Sequence, residues 1–426
     1  MTDRSYDDIL NNGSYCVIPW VHLHLAPSGM ARPCCYSTDK FENLNDFDSV
    51  TELLNSSKFK NIRQQFLKGE KPLGCKVCYD SEVSNREKNS LRLRMNNMFT
   101  SDQVKETVLN TPESGIVNDL DILYFDVRFG NICNLKCRMC GHEYSSTWYD
   151  EQKIWAEEQG KSFDNPKFIH IDVYEKIEQY LSSVEEIYFA GGEPLLYPEH
   201  LKILDKLIEK GNTNVRIRYN TNLTSLNYKG RHIPDIWNKF SNIFISASID
   251  GKDSTVEFIR TNMNWDVFKN NFEYVKKYCP HVKIAPGPTI GILNAEPFVD
   301  FIRYILDNNW ISDWAILPNF IFQPKNLSLQ IAPNWYVDYL ISLYENLQQE
   351  IEAKLEVNQS FKNSKDLLEY IITFLKTNKD VYTSDEKVEL LDSLKSMLWV
   401  YNRTANLDWV NQLPHMYRFF ENHSQG

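Results

Sequence analysis

Nowhere in the 426 residues do eighteen apolar side chains run together, and the opening stretch, MTDRSYDDIL, lacks a basic segment leading into an apolar one. Those absences remove a helical membrane span and a secretory leader from the expected plan, so a soluble, cytoplasmic protein without membrane contact is expected. An excess of positive charge is missing as well: 46 Lys and Arg stand against 57 Asp and Glu, for a net charge of −11. A general nucleic-acid binder is therefore not expected, although a local basic groove is compatible with the total. The chain has no long low-complexity segment and no internal repeat beyond an alternation of strand-like and helix-like runs. Cysteine is absent after Cys279.

What is present begins with length: 426 residues suit one large α/β barrel with additions, or two to three modules. From about residue 120, short β-like runs recur at 120–129, 184–192, 214–222, 242–251, 281–292 and 314–323. Helix-like segments lie between them, such as HLKILDKLIEKGN, with Gly211 placed to end its helix. Six such units in series predict a parallel sheet wound as a partial (β/α)6 TIM-like barrel, with working residues on the loops after the strands. After residue 331 the pattern becomes amphipathic helix rich in Leu, Ile and Tyr, read as a packed helical region.

The nine cysteines are clustered: Cys16, Cys34, Cys35, Cys75 and Cys78 near the start, then Cys133, Cys137 and Cys140, with Cys279 alone. In a cytosolic chain such clusters point to metal or redox chemistry more than to disulfides, and Cys279 reads as a small buried apolar residue. CNLKCRMC, residues 133–140, puts three thiols on one loop after a strand. Three thiolates can ligate three irons of a [4Fe-4S] cluster and leave the fourth iron open to an outside ligand. His142 could instead complete a Cys3His zinc site, and the loop alone does not choose. After the next strand comes GGEP, where glycines allow close backbone approach to a ligand and Glu193 can receive an ammonium group. In SASID, Ser246, Ser248 and Asp250 alternate and so share one face of their strand.

CNLKCRMC after one strand and GGEPLL after the next resemble the radical S-adenosylmethionine (SAM) superfamily. The resemblance implies a [4Fe-4S] cluster on Cys133, Cys137 and Cys140 whose open iron is chelated by SAM. It implies reductive cleavage of SAM to methionine and a 5′-deoxyadenosyl radical that removes hydrogen from a substrate. It assigns Gly191, Gly192, Glu193 and Pro194 to the SAM ammonium, Ser248 to the ribose with help from Thr221 or Asn222, and Arg260 to the SAM carboxylate. Ser246 and Asp250 join the candidate cofactor-binding set through their shared face. Met139 departs from the aromatic residue common in the family.

Near the start, Cys16, Cys34, Cys75 and Cys78 make a complete four-thiolate set, suited to zinc or to an iron–sulfur cluster. The order of Pro-Trp, hairpin, Pro-Cys and a helical stretch ending in PLGCKVC is similar to the twitch or SPASM auxiliary-cluster module. That similarity implies one auxiliary [4Fe-4S] cluster, with Cys35 as the alternative to Cys34. His22 and His24, alternating with Leu, read as surface or packing residues. The expected domains are the auxiliary module at 1–83, a linker at 84–118, the radical SAM partial barrel at 119–330 and the helical region at 331–426. The expected reaction is oxidation or crosslinking of a peptide or small-molecule substrate, served by a donor such as flavodoxin or ferredoxin. The alternatives are a redox-neutral epimerase and a non-catalytic zinc protein.

Overall fold

The computed structural model describes the chain except residues 1–4, 40–41, 84–89, 159, 164–166, 311–317, 356–361, 406–407 and 424–426. Seven strands form one sheet: β1 (His22–Leu25), β2 (Ala31–Arg32), β3 (Tyr124–Val127), β4 (Glu186–Phe189), β5 (Arg216–Thr221), β6 (Ile243–Ala247) and β7 (Lys283–Pro286). Their order is β7-β6-β5-β4-β3-β1-β2. β1 pairs antiparallel with β2, whereas β1 with β3, β3 with β4, β4 with β5, and β6 with β7 are parallel. The expected mixed α/β fold with a parallel sheet is present. Among the described residues no helix is long and apolar enough to cross a membrane.

Two features differ from the sequence reading. The N-terminal hairpin supplies β1 to the main sheet, in register His22 with Tyr124 and His24 with Asp126. The expected fifth run is broken at Pro286-Gly287-Pro288: its first half is β7, and Thr289–Ile290 pairs with Asn319–Phe320 in a separate two-stranded sheet. Proline has no N–H to give a ladder, which is reason enough for the break. The first part of the expected run at 314–323 lies outside the described residues.

The chain gathers into two compact units. One holds Met1–Ile132, Phe168–Tyr219 and Asp235–Ile243, the other Cys133–Lys167, Asn220–Pro234 and Phe244–Gly426. In the first, alternate strand residues Phe125, Val127, Ile187, Phe189, Ile217 and Tyr219 are buried, as period-two geometry requires of one sheet face. Helix Pro198–Glu209 buries Leu201, Ile203, Leu204 and Leu207, and Gly211, at φ +73°, follows its end. Residues 91–109 hold two helices, Leu91–Met98 and Asp102–Leu109. In the second unit, helices Asn334–Leu355 and Lys362–Thr377 pack side by side. The Tyr344 hydroxyl donates to the Ala295 carbonyl at 2.6 Å, which ties the helical region to residues following β7. Cys279 is fully buried there.

Candidate functional site

The 133–140 loop is held at many points within its unit. Lys136–Cys137 forms a short antiparallel pair with Arg260–Thr261. The Trp148 indole N–H donates to the Cys137 carbonyl at 3.0 Å, and the Ser145 hydroxyl donates to the Leu135 carbonyl at 2.6 Å. Arg138 lies over the rings of Trp148 and Phe258 and donates to the Phe258 carbonyl at 3.1 Å. Arg138, Ser145 and Trp148 escaped the sequence reading, because their service is to carbonyls and rings that no motif spells out.

The thiols themselves are differentiated. Cys137 is drawn below the usual thiol range by its hydrogen bond with Cys140 and by the Arg260 guanidinium, while the same bond and burial push Cys140 well up. Arg260 Nη1 stands 3.6 Å from Cys137 Sγ, and Asn222 Nδ2 stands 3.9 Å from Cys133 Sγ. His142, the rival fourth ligand, turns instead to the Gln152 side chain and the edge of Phe163. Among the described residues no three His, Cys, Asp or Glu side chains converge closely enough to hold one metal ion. A four-iron cluster does not ask for that convergence, since each thiolate binds a separate iron. Three thiols on one braced loop, with the Arg260 guanidinium to balance thiolate charge, fit that donor set.

The other sequence candidates have intrachain duties. A Cβ on Gly192 would stand 2.3 Å from the Ile132 carbonyl oxygen, and one on Gly191, at φ +108°, 3.0 Å from Arg128 Cβ. Glu193 N–H donates to that Ile132 carbonyl at 2.8 Å, and its carboxylate accepts from Leu195 N at 3.1 Å. Pro194 opens the short turn Pro194–Leu196. Thr221 Oγ1 accepts from Leu223 N, and Asn222 Nδ2 donates to Asn134 Oδ1 at 2.9 Å. Ser246 and Ser248 are half-buried on β6 and just beyond it. Arg260 is bidentate on the fully buried Asp250, at 2.7 and 3.0 Å, which is a different partner from the SAM carboxylate the resemblance implied. Met139 lines a small cavity with Ile259, Gly291, Leu293 and Asn294.

In the other unit, Cys16 and Cys78 are buried, and Cys75 ends the turn Leu73–Cys75 before helix Lys76–Val83. Burial and the neighbouring Cys78 push Cys75 up to about 12. Burial raises Cys16 beyond that range, with the charges of Cys75 and Cys78 adding to it. Burial pushes Cys34 well up, with Cys35, Cys16 and Cys75 adding to it, whereas burial and Asp126 push Cys35 up to about 11 against the pull of Arg128 and Arg218. Cys34 thus stays in the candidate set with Cys16, Cys75 and Cys78. Arg92 donates to the Tyr15 carbonyl at 2.8 Å, and Asn96 brackets Cys16 by donating to that carbonyl and accepting from Val17 N. Buried thiolates that repel one another gain stability from bound iron, so this set also fits a cluster.

Residues 127–305 match the family model of the radical SAM superfamily. These residues carry a radical SAM superfamily domain. Residues 16–79 match SPASM, an iron-sulfur cluster-binding domain, so the SPASM domain stands ahead of the radical SAM domain. Together the two domains imply [4Fe-4S] chemistry and SAM. No curated protein matches the chain. Among solved structures, native anSMEcpe with bound AdoMet and Cp18Cys peptide is 16% identical, over 54% of this chain and 60% of that one, with a TM-score of 0.37. SuiB of Streptococcus suis, bound to precursor peptide SuiA, is 12% identical over 68% of this chain and 62% of its own, at 0.39. This chain thus spans about three fifths of the length of each of these proteins.

Proposed function

We propose that this chain is a radical SAM enzyme that cleaves SAM reductively and removes a hydrogen atom from a peptide or small-molecule substrate. The observation that carries the reading is the braced loop of Cys133, Cys137 and Cys140, with Arg260 against Cys137 and Asn222 against Cys133. In the proposed division, residues 1–83 form the auxiliary module, 84–118 connect it, 119–330 form the SAM-binding domain and 331–426 the helical region.

When bound, the cluster and SAM would supply one-electron reduction and a carbon-centred radical. The three loop thiols would hold the cluster with one iron left open. Gly191, Gly192, Glu193 and Pro194 would meet the SAM ammonium, while Thr221, Asn222, Ser246 and Ser248 would serve its ribose. Asp250 would hold Arg260 in place beside the thiols. Cys16, Cys34, Cys75 and Cys78 would hold an auxiliary cluster able to accept an electron from a substrate radical, which favours net oxidation or crosslinking. Flavodoxin or ferredoxin would deliver the electron that starts each turnover.

The experiment is reconstitution without oxygen, followed by iron analysis and chromatography of 5′-deoxyadenosine. Two four-iron clusters give about eight irons per chain. Replacing Cys133, Cys137 and Cys140 together by Ala halves the iron and abolishes 5′-deoxyadenosine. Stoichiometric zinc in place of iron overturns the reading.

A further inference from the structure

One face of the sheet in the Tyr124–Val127 unit is greasy, but the opposite face is charged. Register sets Glu186 beside Tyr124 and Arg216, and in the next row Tyr188 beside Asp126 and Arg218. Glu186, 1% exposed, takes Arg216 at 3.3 Å and Arg218 at 3.1 Å. Asp126, equally buried, takes His24 at 2.7 Å and Arg128 at 3.3 Å. Three guanidinium groups thus meet two carboxylates, leaving positive charge in excess on a chain whose net charge is −11.

The two central arginines are not saturated by these pairs. Arg128 reaches Asp126 at 3.3 and 3.4 Å, long against the roughly 2.7–2.9 Å of a well-made charge-assisted fork. Arg218 spends one nitrogen on Glu186 and lies over the Tyr188 ring at 5.0 Å, and its side chain is 40% exposed. Among the described residues its other nitrogens make no hydrogen bond. Arg128 lies two residues past Asp126, just beyond the end of β3, and grips it, and Arg218 stands opposite Tyr188, the neighbour of Asp126, so both guanidinium groups lie on this one face. An arginine fork matches the oxygens of a carboxylate or phosphate.

We infer that this face binds an oxyanion and that the substrate presents a carboxylate or phosphate group to Arg128 and Arg218. The inference rests on the radical SAM reading only for calling the ligand a substrate. β3 and β4, which carry this face, lead into the Cys133 loop and the Gly191 turn.

The test is titration of the reconstituted wild-type protein with inorganic phosphate and, separately, with acetate, followed by nuclear magnetic resonance line broadening. Saturable binding of one is expected, phosphate pointing to a phosphate ester and acetate to a carboxylate. Arg218→Gln and Arg128→Gln each weaken it about tenfold, as loss of a charge-assisted bond does. Arg218→Lys, which keeps the charge, retains part of it, and exposed Lys210→Gln leaves it unchanged. Saturable binding of neither anion, or binding undiminished in folded Arg218→Gln and Arg128→Gln, overturns the inference. Wild-type 5′-deoxyadenosine formation is measured in parallel: failure there with anion binding intact defeats the radical SAM reading, and the reverse defeats only this one.

Discussion

His22 is buried where β1 pairs with β3. Its ring stacks on Tyr124 at 4.1 Å, and its Nδ1 lies 2.9 Å from the Tyr124 carbonyl oxygen, with 2% of the residue exposed. Burial lowers it from the ordinary 6.5 to about 4, although Asp126 pulls the other way. The unfolded chain takes up this proton first as pH falls, so the contribution is full above about 6.5 and lost by about 4. A shift of that size corresponds to about 3 kcal/mol. Urea unfolding between those pH values should show falling stability, and His22→Phe should flatten the slope. An equal slope in the variant would mean that the ring is not held neutral. The sequence placed His22 and His24 at the surface or in packing, because alternation with Leu reads alike for either sheet face. Burial was decided by Tyr124 and Asp126, whose sequence separation of 102 residues put them beyond any local pattern.

Among elements, the strand runs were legible because their apolar residues alternate or run together, and five of the six lie in the main sheet close to where they were expected. The thiol loop was legible because its spacing is rare. What surrounds it was not: Trp148 braces the Cys137 carbonyl, Arg138 reaches the Phe258 carbonyl, and Arg260 found Asp250. The Leu91–Met98 helix likewise sits in a stretch that read as a connection, yet its Arg92 and Asn96 fasten the backbone on either side of Cys16. That attachment lets the N-terminal element be tested by itself within the full chain. Cys75→Ser with Cys78→Ser should lower reconstituted iron from about eight to about four per chain while circular dichroism stays unchanged. Unaltered iron in the double variant would remove these thiols from the ligand set.

At the scale of the whole molecule, strands far apart in sequence lie side by side. β1 comes from the N-terminal hairpin, and its neighbour β3 comes after the 84–118 connection. Residues 1–118 expressed alone should therefore be poorly soluble, since β1 would offer an unpaired edge where β3 belongs. Sedimentation after lysis checks this, and a soluble, folded fragment would contradict it. The same pairing fixes a timetable. As the chain leaves the ribosome, all four of Cys16, Cys34, Cys75 and Cys78 have emerged before Tyr124, which begins the strand that completes their support. For that interval they are reduced, unshielded sulfur in the open cell. Iron–sulfur assembly factors that act late in synthesis, once β3 has docked, would meet a site already in shape.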